Sequence, residues 1–388
     1  MCENSYIIQI YLIIKYLNFY LMTYHVLARK WRPQKFCDII GQDHVVKAIK
    51  YSLNKKKIHP AWIFSGSRGV GKTTIARLFS MGLSCLNGIT DNPCRLCINC
   101  KDIKNNSFLD LIELDSASKT KVEEIRDIID NIPYKPIRGR YKIYIFDEFH
   151  MLSKHSFNAL LKILEEPPDH VKFIFATTEL QKIPITITSR CLQFHLKLIT
   201  NKEISQKLKD ILYIEKLNYD EKILDILSNA ANGSMRDALS LTDQLISMGE
   251  LTLKNIYSIL GLIEKKYLFL LIQNLKKKNV NLILEIIDKI SSFNICWDNI
   301  IIEILFLLHE LLKIKIINST NKINNQYNNF YENNKKYLHI ILKKFSLKEI
   351  EFMYKTFVTG RKNLNLNPND RVGFEVIILK LIFYFNKN

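Results

Sequence analysis

The segment Gly66-Ser67-Arg68-Gly69-Val70-Gly71-Lys72-Thr73 most limits what this chain can fold into. It fits G-x-x-x-x-G-K-[ST], a loop whose backbone amides wrap a chain of phosphates. Such a loop works between a strand that ends and a helix that begins with its N-terminus aimed at the anion. Both partners are present: Ala61-Trp62-Ile63-Phe64 is a short apolar run, and Thr74 to Phe79 carries apolar residues at helical spacing. The glycines let the backbone fold tightly without Cβ clashes. Lys72 brings a positive charge to the β- and γ-phosphates, and Thr73 can ligate Mg²⁺. A chance glycine turn is the alternative, and it would have to reproduce the glycines, the Lys-Thr pair and the element order together.

The surroundings predict an α/β fold. From Tyr24 to about Thr200, apolar runs alternate with helical patterns: Trp62-Ile63-Phe64, Leu111-Ile112-Glu113-Leu114, Ile143-Tyr144-Ile145-Phe146 and Phe173-Ile174-Phe175-Ala176. That is the signature of a parallel sheet covered on both faces, with ligands bound outside the carboxyl ends of the strands. From about Asn201 the texture is helical, with no proline between Pro184 and Pro368. We expect a nucleotide-binding α/β domain over 23–200, a small helical unit over 201–263 and a larger helical unit over 264–388. The Asn- and Tyr-rich stretch Asn318 to Lys336 reads as a loop or insert. Tyr6 to Met22 is apolar but interrupted by Gln9, Lys15 and Asn18. It lacks a basic n-region and a small-residue cleavage site. Residues 1–22 are therefore expected to lie outside the fold, with Met22 as the natural start. A membrane anchor is the alternative.

The formal charge of +18 suggests a polyanionic partner such as nucleic acid. A lysine-rich coding bias from an AT-rich genome would give the same number. Of the 8 cysteines, Cys85, Cys94, Cys97 and Cys100 sit close together. Four thiolates at that spacing suit a structural tetrahedral Zn²⁺, with an iron–sulfur cluster as the alternative. The pattern points to a reducing compartment, not a disulfide framework. Cys37 and Cys296 are expected as small core residues.

Other residues carry possible chemistry. Asp147 and Glu148 end an apolar strand, where the first acid can hold Mg²⁺ through water and the second can polarise an attacking water. Thr177-Thr178 follows another strand, and a hydroxyl there can bond the attacking water or γ-phosphate, or cap the next turn. Arg190 in Ser189-Arg190-Cys191 could stabilise a transferring phosphoryl group in trans, or form a surface ion pair. Ser234 can cap a helix at Gly233-Ser234-Met235-Arg236-Asp237, leaving Arg236 in the first turn. His150 and His155 are expected to be structural or surface residues.

With these elements in order, the chain resembles the gamma/tau subunits of bacterial DNA polymerase III, the ATPases of the sliding-clamp loader. Val26-Leu27-Ala28-Arg29-Lys30-Trp31-Arg32-Pro33, Phe64 to Thr73, His155 to Lys162, Leu164-Glu165-Glu166-Pro167-Pro168 and Ser189-Arg190-Cys191 carry the likeness, as does the cysteine spacing. The resemblance implies an AAA+ P-loop ATPase fold with a zinc module at about 85–100, a helical lid and an all-α oligomerising collar. It implies ATP, Mg²⁺ and Zn²⁺ as cofactors. Gly66, Ser67, Arg68, Gly69, Val70, Gly71, Lys72, Thr73, Asp147 and Arg236 would bind nucleotide, Arg236 as the second sensor. Glu148, Arg190 as arginine finger, and Thr177 or Thr178 as first sensor would be catalytic. Cys85, Cys94, Cys97 and Cys100 would bind metal. Leu27 to Pro33 would lie near adenine, and Lys119, Arg126 and Lys162 would face DNA.

The implied partners are further copies of the chain and delta- and delta-prime-type subunits in a pentamer, the sliding clamp, and primer–template DNA. The implied setting is cytoplasmic, within a holoenzyme with DNA-directed DNA polymerase activity. Phe149 departs from the smaller Val usual after the acid pair. Nothing here matches the linker and C-terminal domains of the tau form. A non-catalytic scaffold and a zinc-containing nucleic-acid remodeller are the rival readings: absence of ATPase turnover with partners and DNA would favour the first, and DNA unwinding without a clamp the second.

Overall fold

The computed structural model describes residues 26–117, 128–261, 263–292, 295–319 and 341–387. Lys119, Arg126, the N-terminal run and most of the Asn/Tyr-rich stretch lie outside these. The chain divides into two compact units that meet between Gly249 and Glu250. Residues 250–263, expected with the lid, therefore group with the second unit.

The first unit is built on β1 (Ala61–Ser65), β2 (Leu111–Asp115), β3 (Lys142–Asp147), β4 (Val171–Thr177) and β5 (Leu192–His195). Their order is β2-β3-β4-β1-β5, and every neighbouring pair is parallel. The four expected apolar runs are all strands. β5 was not expected, because Leu192-Gln193-Phe194-His195 mixes polar and apolar residues on a largely exposed edge. It is held by pairing with β1 and by Phe194, which stacks on Trp62 at 5.3 Å.

Alternation along the strands explains both cores. Trp62, Phe64, Ile143, Ile145 and Ile174 face one side and pack on α2 (Asp43–Lys55) and α3 (Lys72–Ser84) through Ile49, Leu53, Ile75 and Phe79. Ile63, Tyr144, Phe146, Phe173 and Phe175 face the other side. They meet Phe157, Leu160 and Leu164 of α5 (Lys154–Glu165), which follows the short α4 (Ile98–Asn105). Burial on both faces is why these strands read as continuous apolar runs.

After α6 (Ile185–Thr188), the unit closes with three lid helices: α7 (Asn201–Ile214), α8 (Glu221–Ala230) and α9 (Met235–Ser247). Each begins at a side-chain cap: Thr200 with Glu203 as a reciprocal pair, then Asp220 and Ser234. The leading turn α1 (Leu27–Lys30) is fastened to these helices. Leu27 N donates to Asp243 Oδ2 at 2.7 Å, and Trp31 Nε1 donates to Glu215 Oε1 at 2.8 Å.

The second unit is helical: α10 (Leu253–Leu260), α11 (Lys265–Lys277), α12 (Val280–Ser291), α13 (Trp297–Ser319), α14 (Leu347–Lys362) and α15 (Asp370–Lys387). One apolar core joins Leu271, Ile287, Ile304, Met353, Phe357 and Leu381. Gly360 lets α14 approach α15, since a Cβ there would fall 2.3 Å from Ile377. Arg361 adds a two-pronged bond to Asp298 at 2.7 and 3.0 Å.

Two expectations are corrected. Cys37 and Cys296 are exposed, not core residues. Cys37 lies in a short 3-10 turn whose buried position goes to Phe36, and Cys296 stands just before α13 begins. Among the described residues, no helix is long and apolar enough to cross a membrane.

Candidate active site

β1 and β3 flank β4 and run parallel, so their carboxyl ends open on the same side. The loop after β1 and the acids after β3 are thereby brought together. Gly66 has φ +143°, and a Cβ on it would lie 2.6 Å from the Leu196 carbonyl. Gly71, at φ +105°, is the residue before α3. Lys72 and Thr73 open that helix and are buried. The Lys72 ammonium donates to the Gly66 and Ser67 carbonyls at 2.8 and 3.0 Å. Burial holds its pKa below the ordinary lysine value, although Glu148 and Asp147 pull the other way. Thr73 Oγ1 donates to Asp147 Oδ2 at 2.7 Å, which closes the gap between the two motifs.

Glu148 follows in the left-handed region, at φ +47°. Its carboxylate accepts from Thr178 Oγ1 at 3.1 Å. The neighbouring Thr177 hydroxyl is buried, accepts from the Glu179 N–H at 3.1 Å and meets His150 Nδ1 at 3.1 Å. Thr177 thus caps its turn, and Thr178 is the residue that touches Glu148. His150, expected as structural or surface, is buried at its side chain, 3.6 Å from Glu148 Oε2 and 3.5 Å from Glu179 Oε1. The spacing signal was its position two residues past Glu148; its contacts depend on β4, which sequence order did not place. Phe149 is fully buried and stacks on Phe175 at 4.1 Å, so the larger ring fills space between β4 and α5.

The lid supplies Arg236. Ser234 Oγ accepts from the Asp237 N–H at 3.2 Å, capping α9 as expected. The phosphate loop presses on that cap: a Cβ on Gly69 would lie 1.9 Å from Ser234 Oγ. A cavity of about 390 Å³ is lined by Gly69, Lys72, Thr73, Asp147, Glu148 and Arg236, together with Val26, Trp31 and Pro33. Arg32 also lines it, donating from Nε to Thr74 Oγ1 at 3.1 Å. Burial first, then the charge of Arg77, lowers the Arg32 guanidinium to about 10, still cationic at neutral pH. Cations from three segments, namely Arg32, Lys72 and Arg236, therefore face one space beside two carboxylates. That arrangement fits a polyphosphate with a divalent cation.

Arg190 is not part of this cavity's lining. It sits half-exposed, donating to Thr186 O at 2.6 Å and to Glu165 Oε1 at 3.0 Å. Lys162 is exposed on α5.

The cysteine cluster lies between α3 and α4. Cys85 ends α3, Cys97 precedes α4 and Cys100 lies within it. The four sulfurs lie within 4.8 Å of one another, and those of Cys94 and Cys100 are 4.0 Å apart. Sulfurs about 2.3 Å from a tetrahedral ion would stand about 3.8 Å apart, so the set fits one ion with little movement. The Cys97 and Leu96 amides lower the Cys94 thiol to about 6, the former donating to its sulfur at 3.3 Å. Burial pushes Cys100 up. Arg140 ties the cluster to the strand side by donating to the Cys85 and Leu86 carbonyls.

Family models match along the chain: "DNA polymerase III, delta subunit" over 41–200, "DNA polymerase III clamp loader subunit, ATPase lid domain" over 203–251, and "DNA polymerase III subunits gamma and tau domain III" over 251–387. The DNA polymerase III subunit gamma of Buchnera aphidicola subsp. Schizaphis graminum is 48% identical over 363 residues, covering 93% of this chain and 99% of that one. The chain belongs to the gamma/tau family of DNA polymerase III clamp-loader subunits. It is 44% identical to the Haemophilus influenzae tau/gamma subunit over 94% of its own length, and spans about half of that relative, 52%. Among solved structures, Thermotoga maritima RuvB matches with a TM-score of 0.45 at 17% identity, covering 63% of this chain and 78% of that one. The AAA+ assignment of this gamma/tau-family chain rests on its own strand order, phosphate loop and lid.

Proposed function

We propose that the chain is the ATP-hydrolysing motor subunit of a clamp loader that places a sliding clamp on primed DNA. The observation that carries this is the 2.7 Å bond from Thr73 to Asp147 in the lining of a cavity that Lys72, Glu148 and Arg236 also line. Gly66 to Thr73 would hold the triphosphate, and Thr73 and Asp147 would hold Mg²⁺. When bound, that ion would neutralise charge on the β- and γ-oxygens. Glu148 would orient and deprotonate the attacking water, with Thr178 fixing its carboxylate. Arg236 would report the nucleotide to the lid. Arg190 would act on the site of a neighbouring copy, which its place outside its own cavity supports. The cysteine set would hold Zn²⁺ as a structural ion, because its sulfurs lie closer than the corners of a multi-iron cluster would hold them.

ATP drives such an assembly only by binding one arrangement of subunits more tightly than another. The proposed assembly contains further copies of this chain with delta- and delta-prime-type subunits, working in the cytoplasm. Its grip on primer–template DNA would be to phosphate and independent of sequence. Residues 201–249 would act as the lid and the second unit as the oligomerising collar. The test is loading of a ring clamp onto primed DNA by the assembled complex. With Lys72→Ala in every copy, loading should fall to the level without nucleotide; undiminished loading would overturn the proposal.

A further inference from the structure

His150 is a buried titratable group to which the nucleotide site assigns no task. It lies in the 3-10 turn Phe149–Met151 after Glu148, with its side chain 7% exposed. Its Nδ1 is 3.1 Å from Thr177 Oγ1 and 3.6 Å from Glu148 Oε2. Its Nε2 is 3.5 Å from Glu179 Oε1. Glu179 is itself paired with Lys182 at 2.9 Å, and its N–H donates to Thr177 Oγ1. The imidazole therefore bridges the carboxyl ends of β3 and β4. Phe149, locked between Phe175 and Phe157, fixes the backbone from which the ring projects.

We propose that His150 is a positioning residue for Glu148, holding its carboxylate in register with Thr177, Thr178 and Glu179. This rests on Glu148 being the hydrolytic base. A carboxylate on a flexible side chain, held by one hydroxyl, keeps much of its rotational freedom. The ring limits that freedom by facing the same oxygen that Thr178 holds, with Nδ1 3.6 Å from Oε2. The tautomer that serves carries its proton on Nδ1, where the N–H faces both Thr177 Oγ1 and Glu148 Oε2; with the proton on Nε2 the ring would instead face Glu179 with its donor and accept from Thr177. The ring touches neither phosphate loop nor lid in the contacts above, so its effect belongs to the chemical step and not to nucleotide affinity.

The experiment is steady-state ATPase and nucleotide titration on the assembled complex, with Glu148→Gln as the reference. His150→Ala should lower kcat about 10- to 100-fold while KM for ATP stays within about twofold. His150→Asn, whose amide can occupy the place of Nδ1, should recover a large part of kcat. His150→Phe, which keeps the ring volume without the polar atoms, should not. Adding His150→Ala to Glu148→Gln should cause little further loss, because the two act as a unit. The proposal is overturned by an unchanged kcat in His150→Ala, by rescue with Phe and not Asn, or by losses that multiply in the double variant. If His150→Ala fails to fold, the contrast between Asn and Phe still decides. A wild-type complex without turnover, or one indifferent to Glu148→Gln, would remove the motor reading itself and this proposal with it.

Discussion

Glu148 occupies backbone space that L-residues with a Cβ seldom enter, at φ +47°, and such outliers gather where function over-determines them. Its neighbours supply the constraint: Thr178 and His150 face one oxygen, and its own N–H donates to Asp147 at 3.1 Å. Glu148→Gln should keep nucleotide binding and lose about 10²-fold or more in turnover, measured by titration alongside ATPase assay. Full turnover in that variant would deny it the role of base. Arg190 offers a different residue-scale test. Arg190→Ala should spare ATP binding by each copy and cut hydrolysis in the assembly by about 10³-fold. Equal rates with and without the arginine would return it to a surface ion pair with Glu165. The acid pair was legible in sequence because it closes an apolar strand. Which of two adjacent threonines meets Glu148 was not, since neighbouring residues at a strand end point in opposite directions.

At the scale of elements, the phosphate loop and the lid share a contact that neither contains alone. A methyl group at Gly69 would collide with Ser234 Oγ, and φ there is +78°. Gly69→Ala should therefore push the α9 cap off the loop and weaken nucleotide affinity by about tenfold or more, given a strain above roughly 1 kcal/mol. Unchanged affinity would show that the loop and lid part without consequence. The cysteine module is likewise an element-scale object, joining the end of α3 to the start of α4 with Arg140 holding its far side. Cys97→Ser should release metal, measured by elemental analysis, and lower Tm. Retained metal would reject that ligand. Spacing made the cluster readable, whereas the Arg140 tether crosses too much sequence for any local pattern to reveal.

For the whole molecule, the net charge of +18 becomes useful only with a partner in view. Affinity of the assembled complex for primed DNA should fall steeply and log-linearly with salt, to a similar degree for templates of different sequence. A salt-insensitive or sequence-dependent affinity would point to base contacts in place of phosphate grip. The two units also differ in kind. The first carries its chemistry at strand ends, and the second offers an apolar helical core with no comparable convergence of acids and cations among its described residues.

Sequence alone was enough for the parallel α/β core, the phosphate loop, the acid pair and the cluster of four cysteines. Each of these is a local pattern, written in the periodicity of burial or in a spacing that the chemistry demands. Strand order, the exposed edge strand β5, the Gly69–Ser234 contact and the place of His150 emerged only on folding. They depend on which distant segments pack side by side, and such pairings are set by the burial of whole sheet faces, not by any run of neighbouring residues.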